Sequence, residues 1–192
     1  MSKRLIVVPR WAGVPASDWY PWLERELETA TPKPFDPVIV ADMPNPREPT
    51  IAAWVQHVHA LLGDDPAEIA DTMFVAHSVG CQAVLRALAE LPDGVHVHGV
   101  MCVAGWFWTD SPWASLKLWI DTPFDVERAK GASGRVVVLM SDNDPHTSDW
   151  RANTAAWQDK LNASAVLVPG VAHFNGSQYP IILQTLLDRF VP

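Results

Sequence analysis

The chain has 192 residues, of which 48% are hydrophobic and 19% are charged. This length and composition are typical of one compact domain with a core of its own. The net charge of −8 argues against a nucleic-acid partner, because proteins that bind phosphate backbones carry basic patches. No apolar run approaches the roughly 20 residues that a membrane-spanning helix needs. We therefore expect one domain over residues 1–192, in the cytoplasm, with neither a membrane nor a nucleic-acid partner.

Short β-branched runs alternate with longer segments of helical periodicity. In chain order the pattern predicts a strand over 4–8, a helix over 17–28, a strand over 38–41, a helix over 50–63, a strand over 72–76, a helix over 80–91, strands over 99–104 and 135–140, a helix over 149–161, a strand over 165–168 and a helix over 180–190. Ser17 or Asp18 is the expected N-cap of the first helix, and Thr50 that of the second. Residues 105–130 match no core element well.

This alternation predicts a parallel sheet with helices on both faces, joined by right-handed crossovers. The runs 99–104 and 135–140 are apolar without alternation, as expected for strands that are covered on both faces. The predicted fold class is α/β, a three-layer α/β/α sandwich. In such sheets functional residues follow the carboxyl ends of strands, beside the point where the strand order reverses.

The sequence VAHSVG at residues 75–80 puts Ser78 just after the third predicted strand and at the start of a helix. This is the setting of a nucleophile elbow, a tight turn that needs small neighbours. Gly80 is such a neighbour, and Ala76 stands where the usual motif has a glycine. The backbone N–H of Val79 lies at the start of the helix, where it can stabilise an oxyanion.

A nucleophilic serine needs a base, and the base needs an acid to orient it. His173 follows the last predicted strand, whereas Asp142 and Asp144 both follow the strand over 135–140. The chain order serine, aspartate, histidine is the order of α/β-hydrolases. Either aspartate fits this order.

These motifs resemble those of small serine hydrolases in the α/β-hydrolase superfamily, typified by retinoblastoma-binding protein nine. The shared features are a first strand ending in Val-Pro, DWYPWL in the first helix, DMPNP after the second strand, HS-x-G at the elbow, S-x-x-D-P after a late strand and G-x-x-HF near the end. The resemblance implies six parallel strands and a triad of Ser78, Asp144 and His173, since the family's acid directly precedes a proline. The L-x-C-x-E motif of the family's namesake is absent, so its protein partner is not inferred and any protein partner stays unknown.

The segment PRWAG after the first strand departs from this family, which usually has glycines there. Arg10 and Trp11 replace small residues at the position that supplies a second oxyanion donor. We expect that donor to be the backbone N–H of Trp11. The departure also motivates an alternative, a ligand- or protein-binding chain that keeps the hydrolase scaffold without turnover.

Residues 105–119, GWFWTDSPWASLKLW, contain four tryptophans and a phenylalanine. They fit an aromatic cap or pocket wall beside Ser78 within residues 105–130, and they fit equally well a filling of core between the sheet and a covering helix. As a cap, they predict a small and apolar or aromatic substrate. The predicted pocket residues are Arg10, Trp106, Trp108 and Phe174.

Other chemically active residues have ordinary structural explanations. The His77 side chain is expected to point away from Ser78 and to be a packing or hydrogen-bonded residue. His146 is expected to lie in a surface loop, with a place in the pocket wall as the alternative. Cys81 and Cys102 fall in apolar patterns and are expected to be buried and reduced. No grouping of histidines, cysteines and carboxylates has the spacing of a metal site, so no metal or other cofactor is expected.

Taken together, the patterns predict a serine hydrolase that cleaves a carboxylic ester, or an amide, through an acyl-enzyme. Ser78 is the expected nucleophile, His173 the base and Asp144 the group that orients the base. Val79 and Trp11 are the expected oxyanion donors. A variant of this chemistry, acyl transfer to another acceptor, also fits these residues.

Overall fold

The centre of the fold is a six-stranded sheet, seen in a computed structural model that describes residues 3–110 and 112–191. The strand order is β2-β1-β3-β4-β5-β6, and all neighbouring strands are parallel. The strands are β1 (Lys3–Val8), β2 (Phe35–Val40), β3 (Thr72–His77), β4 (Gly99–Val103), β5 (Arg135–Met140) and β6 (Ser164–Leu167). The predicted parallel sheet of six strands is therefore confirmed.

Helices connect these strands. Within the described residues they are α1 (Tyr20–Thr29), α2 (Ile51–Leu62), α3 (Pro66–Ala70), α4 (Val79–Ala89), α5 (Ala114–Asp121), α6 (Val126–Ala132), α7 (Trp150–Leu161) and α8 (Pro180–Phe190). No sequence pattern predicts α3, α5 or α6, because helices this short show too few turns for a clear periodicity. None of the helices in the described part of the chain is long and apolar enough to cross a membrane.

The helix caps agree with the prediction at α2 and differ at α1. The Thr50 hydroxyl accepts a backbone N–H of the first turn of α2 at 3.3 Å, so this cap is confirmed. The predicted cap of α1 is wrong, because Trp19 occupies the N-cap position. The Ser17 hydroxyl instead accepts a hydrogen bond from the preceding turn, and Asp18 forms an ion pair with Arg10.

The sheet is covered on both faces, which makes the three-layer sandwich. Ile6 and Phe74 point into a layer that contains α2, α4, α6 and α7, whereas Leu5 and Met73 point toward α1 and α8. This alternation is the period-two pattern of a strand. It buries apolar side chains in two clusters, and the burial supplies most of the stabilisation of such a fold.

The strand order reverses between β1 and β3, because the chain leaves β1 in one direction to reach β2 and in the other to reach β3. Val8 is in register with Ala76, so the carboxyl ends of β1 and β3 lie side by side. The loop after β1 and the turn after β3 therefore meet at the edge where open α/β sheets bind ligands.

Gly80 allows α4 to begin close against the end of β1. A Cβ atom on Gly80 would lie 2.6 Å from both the Val8 and the Pro9 carbonyl oxygens, closer than a real side chain tolerates. Glycine is required here because of this close approach of two backbones. The contact fixes the turn after β3 against the loop that follows β1.

Candidate active site

Ser78 stands in a strained turn between β3 and α4. Its backbone dihedrals are φ 54° and ψ −119°, a combination that is costly for a residue with a side chain and persists only where the surroundings enforce it. Its N–H donates to the Val103 carbonyl of the neighbouring strand at 2.9 Å. Ala76 lies within regular β3 and has no positive φ, so the turn does not need a glycine at that position.

Asp144 and His173 form a buried hydrogen bond after the ends of β5 and β6. The distance from His173 Nδ1 to Asp144 Oδ2 is 2.7 Å, and the two residues are 7% and 3% exposed. The other carboxylate oxygen accepts the backbone N–H of His146 at 2.9 Å. A carboxylate only accepts hydrogen bonds, so Nδ1 carries the proton and Nε2 keeps its lone pair.

Asp142 has a different environment from Asp144. Its side chain is exposed, and its Oδ1 accepts the backbone N–H of Gly170 at 2.9 Å. Asn143 makes a similar contact, since its Oδ1 accepts the N–H of Ala172 at 2.8 Å. These two residues tie the loop that precedes His173 to the end of β5, whereas Asp144 is hydrogen-bonded to the imidazole.

Ser78 and His173 border one cavity of about 260 Å³ at the carboxyl edge of the sheet. The residues that line it are Arg10, Trp11, Ala12, Ser78, Val79, Trp113, Leu116, His146, His173 and Asn175. Within residues 3–110 and 112–191, no hydrogen bond joins the Ser78 side chain to another residue. Hydrogen bonds between a nucleophile and its base are often long in a free site and tighten in the substrate complex.

Two backbone N–H groups at this cavity have no acceptor among the described residues. They belong to Val79, at the first position of α4, and to Trp11. The neighbouring N–H of Arg10 is already used, because it donates to the Tyr20 hydroxyl at 3.1 Å. A free N–H at a helix start is well suited to an anionic oxygen, since the helix dipole adds to the hydrogen bond.

The Arg10 side chain braces the loop after β1. Its guanidinium pairs with Asp18 at 2.8 Å and donates to the Trp11 carbonyl at 2.8 Å. The charge of Arg10 is therefore already compensated by a carboxylate within the loop. Arg10 lines the cavity, and its side chain also orients the peptide that follows Trp11.

His146 lies in a turn after β5 and is also part of the cavity wall, the alternative placement that its sequence position beside Asp144 allowed. Its ring packs edge-on against His173 at 4.7 Å and against Trp113 at 5.7 Å. Burial lowers the pKa of His146, and the nearby His173 lowers it further.

Three predicted pocket residues do not line the cavity. Trp106 is 1% exposed and packs in the core on the α4 side of the sheet, and Phe174 is fully buried in the opposite cluster. Trp108 is half-buried, and its carbonyl accepts a hydrogen bond from Asn153. The aromatic wall comes instead from Trp113, which precedes α5 and packs against Trp11 with ring centres 5.9 Å apart. The aromatic segment thus contributes both to the core and to the cavity.

The cysteines lie beneath this site and take no part in it. Cys81 and Cys102 are both fully buried and free, as predicted. Burial raises the pKa of the Cys102 thiol well above its usual range. Both side chains therefore act as small apolar groups under the turn at Ser78.

Comparison with known proteins agrees with this geometry. The family described as serine hydrolase matches residues 5–182, which is most of the chain. The chain belongs to the serine hydrolase family. YdeN of Bacillus subtilis, named as a hydrolase, is 26% identical over 148 residues that cover 74% of this chain and 72% of YdeN.

Solved structures support the fold. The ydeN gene product of B. subtilis matches with a TM-score of 0.82 at 22% identity, covering 97% of this chain and 98% of the other. A YdeN-like hydrolase from Pectobacterium atrosepticum matches with a TM-score of 0.71 at 19% identity, covering 100% and 94%. Est1E from Butyrivibrio proteoclasticus matches with a TM-score of 0.70 at 14% identity, covering 97% and 86%. At such identities the likeness shows the α/β-hydrolase fold alone.

Proposed function

We propose that this member of the serine hydrolase family cleaves carboxylic esters through an acyl-enzyme on Ser78. The observation that carries the proposal is the buried 2.7 Å hydrogen bond between Asp144 and His173, at a cavity that Ser78 also borders from a strained turn. A serine at a strained strand-to-helix turn, a histidine and a buried carboxylate are the parts that acyl transfer needs.

In the first half of the reaction, the Ser78 hydroxyl attacks the carbonyl carbon of the ester while His173 Nε2 takes its proton. The tetrahedral intermediate then collapses, and the same proton passes to the departing alcohol. Water attacks the acyl-enzyme in the second half, again with His173 as base, and the acid is released. Asp144 keeps the imidazole in the tautomer that leaves Nε2 free and stabilises the imidazolium that forms.

The negative oxygen of the intermediate would be bound by the backbone N–H groups of Val79 and Trp11. Val79 and Trp11 both line the cavity, and their backbone N–H groups lack an acceptor among the described residues. Loss of one such donor typically costs about 2.7–4 kcal/mol of transition-state stabilisation. The large side chains at Arg10 and Trp11 do not obstruct this role, because the donor is a backbone group.

The walls of the cavity favour a small substrate with an apolar or aromatic group. Trp11, Trp113 and Leu116 supply apolar surface, and a volume of about 260 Å³ is small for a ligand site. We further propose that residues 105–130 act as a partial cap on a single hydrolase domain, since Trp113 and Leu116 border the cavity while Trp106 packs in the core.

Turnover of an aryl acetate and of the matching anilide tests this proposal. We expect the ester to be cleaved faster than the amide, with an initial burst of the aryl alcohol. Ser78→Ala should reduce kcat by at least about 10³-fold. Ser164→Ala, at an exposed serine on β6, is the matched control and should be unaffected. A folded protein that cleaves neither substrate would favour the alternative, a binding protein on a hydrolase scaffold. Faster cleavage of the anilide would change the substrate class to amides.

A further inference from the structure

His77 is a fully buried polar residue that the proposed reaction does not use. It directly precedes Ser78, but its side chain lies on the face of the sheet covered by α1 and α8, not on the α4 face. There its ring packs against the rings of Trp19 and His173. Its Nδ1 is 2.8 Å from the Tyr20 hydroxyl, and its Nε2 is 2.9 Å from the His173 carbonyl oxygen. A buried group with both nitrogens paired marks a specific network, because each unpaired group there would be costly.

Which group donates in each hydrogen bond of this network follows from the groups at the two ends of the network. The His173 carbonyl can only accept, so His77 Nε2 carries the proton. Burial lowers the pKa of His77 well below its usual range, so the ring is neutral and Nδ1 accepts from the Tyr20 hydroxyl. Burial also raises the pKa of Tyr20, so this hydroxyl keeps its proton. The Tyr20 oxygen remains free to accept the Arg10 N–H, at 3.1 Å.

The result is a buried hydrogen-bond chain from Arg10 through Tyr20 and His77 to His173. Its first member is the residue before Trp11, the proposed oxyanion donor. Its last member is the backbone of the proposed base. In all three hydrogen bonds the donor lies on the Arg10 side and the acceptor on the His173 side. Hydrogen bonds aligned in this way polarise and strengthen one another.

Both ends of this chain are backbone segments that need external support. His173 lies between Ala172 and Phe174, whose φ angles are 51° and 55°. Ala12, in the loop after β1, has a φ of 57°. Such conformations are costly and persist only where surrounding contacts hold them. A hydrogen bond to the His173 carbonyl and another to the Arg10 N–H are contacts of this kind.

We propose that Tyr20 and His77 are positioning residues that hold the Trp11 N–H and the His173 imidazole in register with Ser78. The inference rests on the proposed function, since it assigns roles to groups that act on the same carbonyl carbon. Neither residue lines the cavity, so both act through Arg10 and His173. These hydrogen bonds run from the loop after β1, through Tyr20 and through His77 at the end of β3, to the loop after β6. They thereby couple the proposed oxyanion site to the proposed base.

Tyr20→Phe tests the chain with a loss of one oxygen atom. Tyr179→Phe is the matched control, because the Tyr179 hydroxyl also accepts a backbone N–H, at 3.0 Å from Gly176, but lies outside the chain. We expect kcat for the aryl ester to fall about 10- to 100-fold in Tyr20→Phe, the size of effect that a small misplacement of reacting groups produces. KM should change little, because no cavity contact is lost. Equal kcat values in the two folded variants would overturn the inference.

A second pair of variants tests the same chain at its centre. His77→Gln keeps an N–H that can reach the His173 carbonyl, whereas His77→Leu keeps none. The glutamine variant should retain more of kcat than the leucine variant at similar KM, and equal values would overturn the inference. This pair decides the outcome if Tyr20→Phe does not fold.

Ser78→Ala, assayed alongside, separates this inference from the proposed function. If Ser78→Ala keeps its activity, the proposed function is wrong. If Ser78→Ala is inactive while Tyr20→Phe behaves as Tyr179→Phe does, the inference alone is wrong.

Discussion

The two halves of the candidate site are held in different ways. The hydrogen-bonded half consists of Tyr20, His77, Asp144 and His173. The aromatic half consists of Trp11, Trp113, Leu116 and His146. Every member of the first half is buried and is paired to another polar group. In the second half Trp113 is 57% exposed, and its ring packs against those of Trp11 and His146. Side chains are thus held firmly where the proposed reaction moves protons and charge. They are held more loosely where the cavity would bind an apolar group.

The largest expected effect separates two aspartates that lie two residues apart. Asp144→Asn should lower kcat by about 10³- to 10⁴-fold, because the amide can donate to His173 Nδ1 and would favour the wrong tautomer. Asp142→Asn is the matched control and should lose far less, since Asp142 accepts a hydrogen bond from the Gly170 N–H and, among the described residues, has none to the imidazole. Steady-state kinetics on the aryl ester measures both. Equal losses, or a larger loss at Asp142, would contradict the assignment of the acid.

The next effect tests how closely the elbow is fitted to the loop after β1. Gly80→Ala would bring a Cβ within 2.6 Å of the Val8 and Pro9 carbonyls, so one backbone must move. We expect a loss of about 1–3 kcal/mol in the free energy of unfolding and a fall in kcat of about 100-fold. Gly131→Ala, in α6 with no atom near the added Cβ, should instead be stabilising by about 0.5–1 kcal/mol. If Gly80→Ala were as active and as stable as the wild type, the close contact between the elbow and the loop after β1 would not be required.

The six-stranded sheet of this architecture was predictable from the sequence. Alternating runs predicted the strands, because buried parallel strands have a distinctive composition, and Ser78 and His173 followed from their positions after strands. The choice of Asp144 came from the resemblance, since spacing alone left Asp142 open. That narrower resemblance, to retinoblastoma-binding protein nine, stays a prediction.

The errors share a physical origin in contacts between distant residues. Trp106 and Phe174 look like pocket residues in a one-dimensional pattern, but their burial depends on which way the backbone turns after β4 and β6. His77 and Tyr20 are 57 positions apart, so their hydrogen bond has no local signature. Aspartate is a favoured N-cap residue, but the Asp18 carboxylate forms an ion pair with Arg10 instead of capping the helix.

A smaller effect concerns the pH dependence of the hydrogen-bonded half. Burial lowers the pKa of His77 well below that of a histidine in the unfolded chain, about 6.5. Below about pH 6.5 the unfolded chain therefore binds a proton that the folded protein does not, and the free energy of unfolding falls as the pH drops, by up to about 1.4 kcal/mol per pH unit. Charge repulsion from His173 and from Arg10 also lowers the pKa of His77, whereas the hydrogen bond to the His173 carbonyl raises it.

Urea unfolding of the wild type and of His77→Gln at several pH values measures this contribution. The slope should be shallower in the variant. It should not vanish, because burial also lowers the pKa of His98 and His146. An identical slope in both proteins would mean that His77 stays protonated or is solvated in the folded state.

The smallest effect is expected in the aromatic half. Trp113→Ala removes an exposed wall of the cavity, so KM for an aryl ester should rise several-fold while kcat is nearly unchanged. Its free energy of unfolding should stay within about 0.5 kcal/mol, as for other exposed substitutions. Trp150→Ala, at a partly exposed tryptophan away from the cavity, is the control. A large fall in kcat in Trp113→Ala would contradict the proposed difference between the hydrogen-bonded half and the aromatic half.

The central claim is that Ser78 is a nucleophile activated by His173. Reaction of the folded protein with a fluorophosphonate, followed by intact-mass spectrometry and peptide mapping, tests it most directly. We expect one adduct, on Ser78, which disappears in Ser78→Ala and forms far more slowly in His173→Ala. No adduct on the folded protein, or an adduct on another residue, would contradict it.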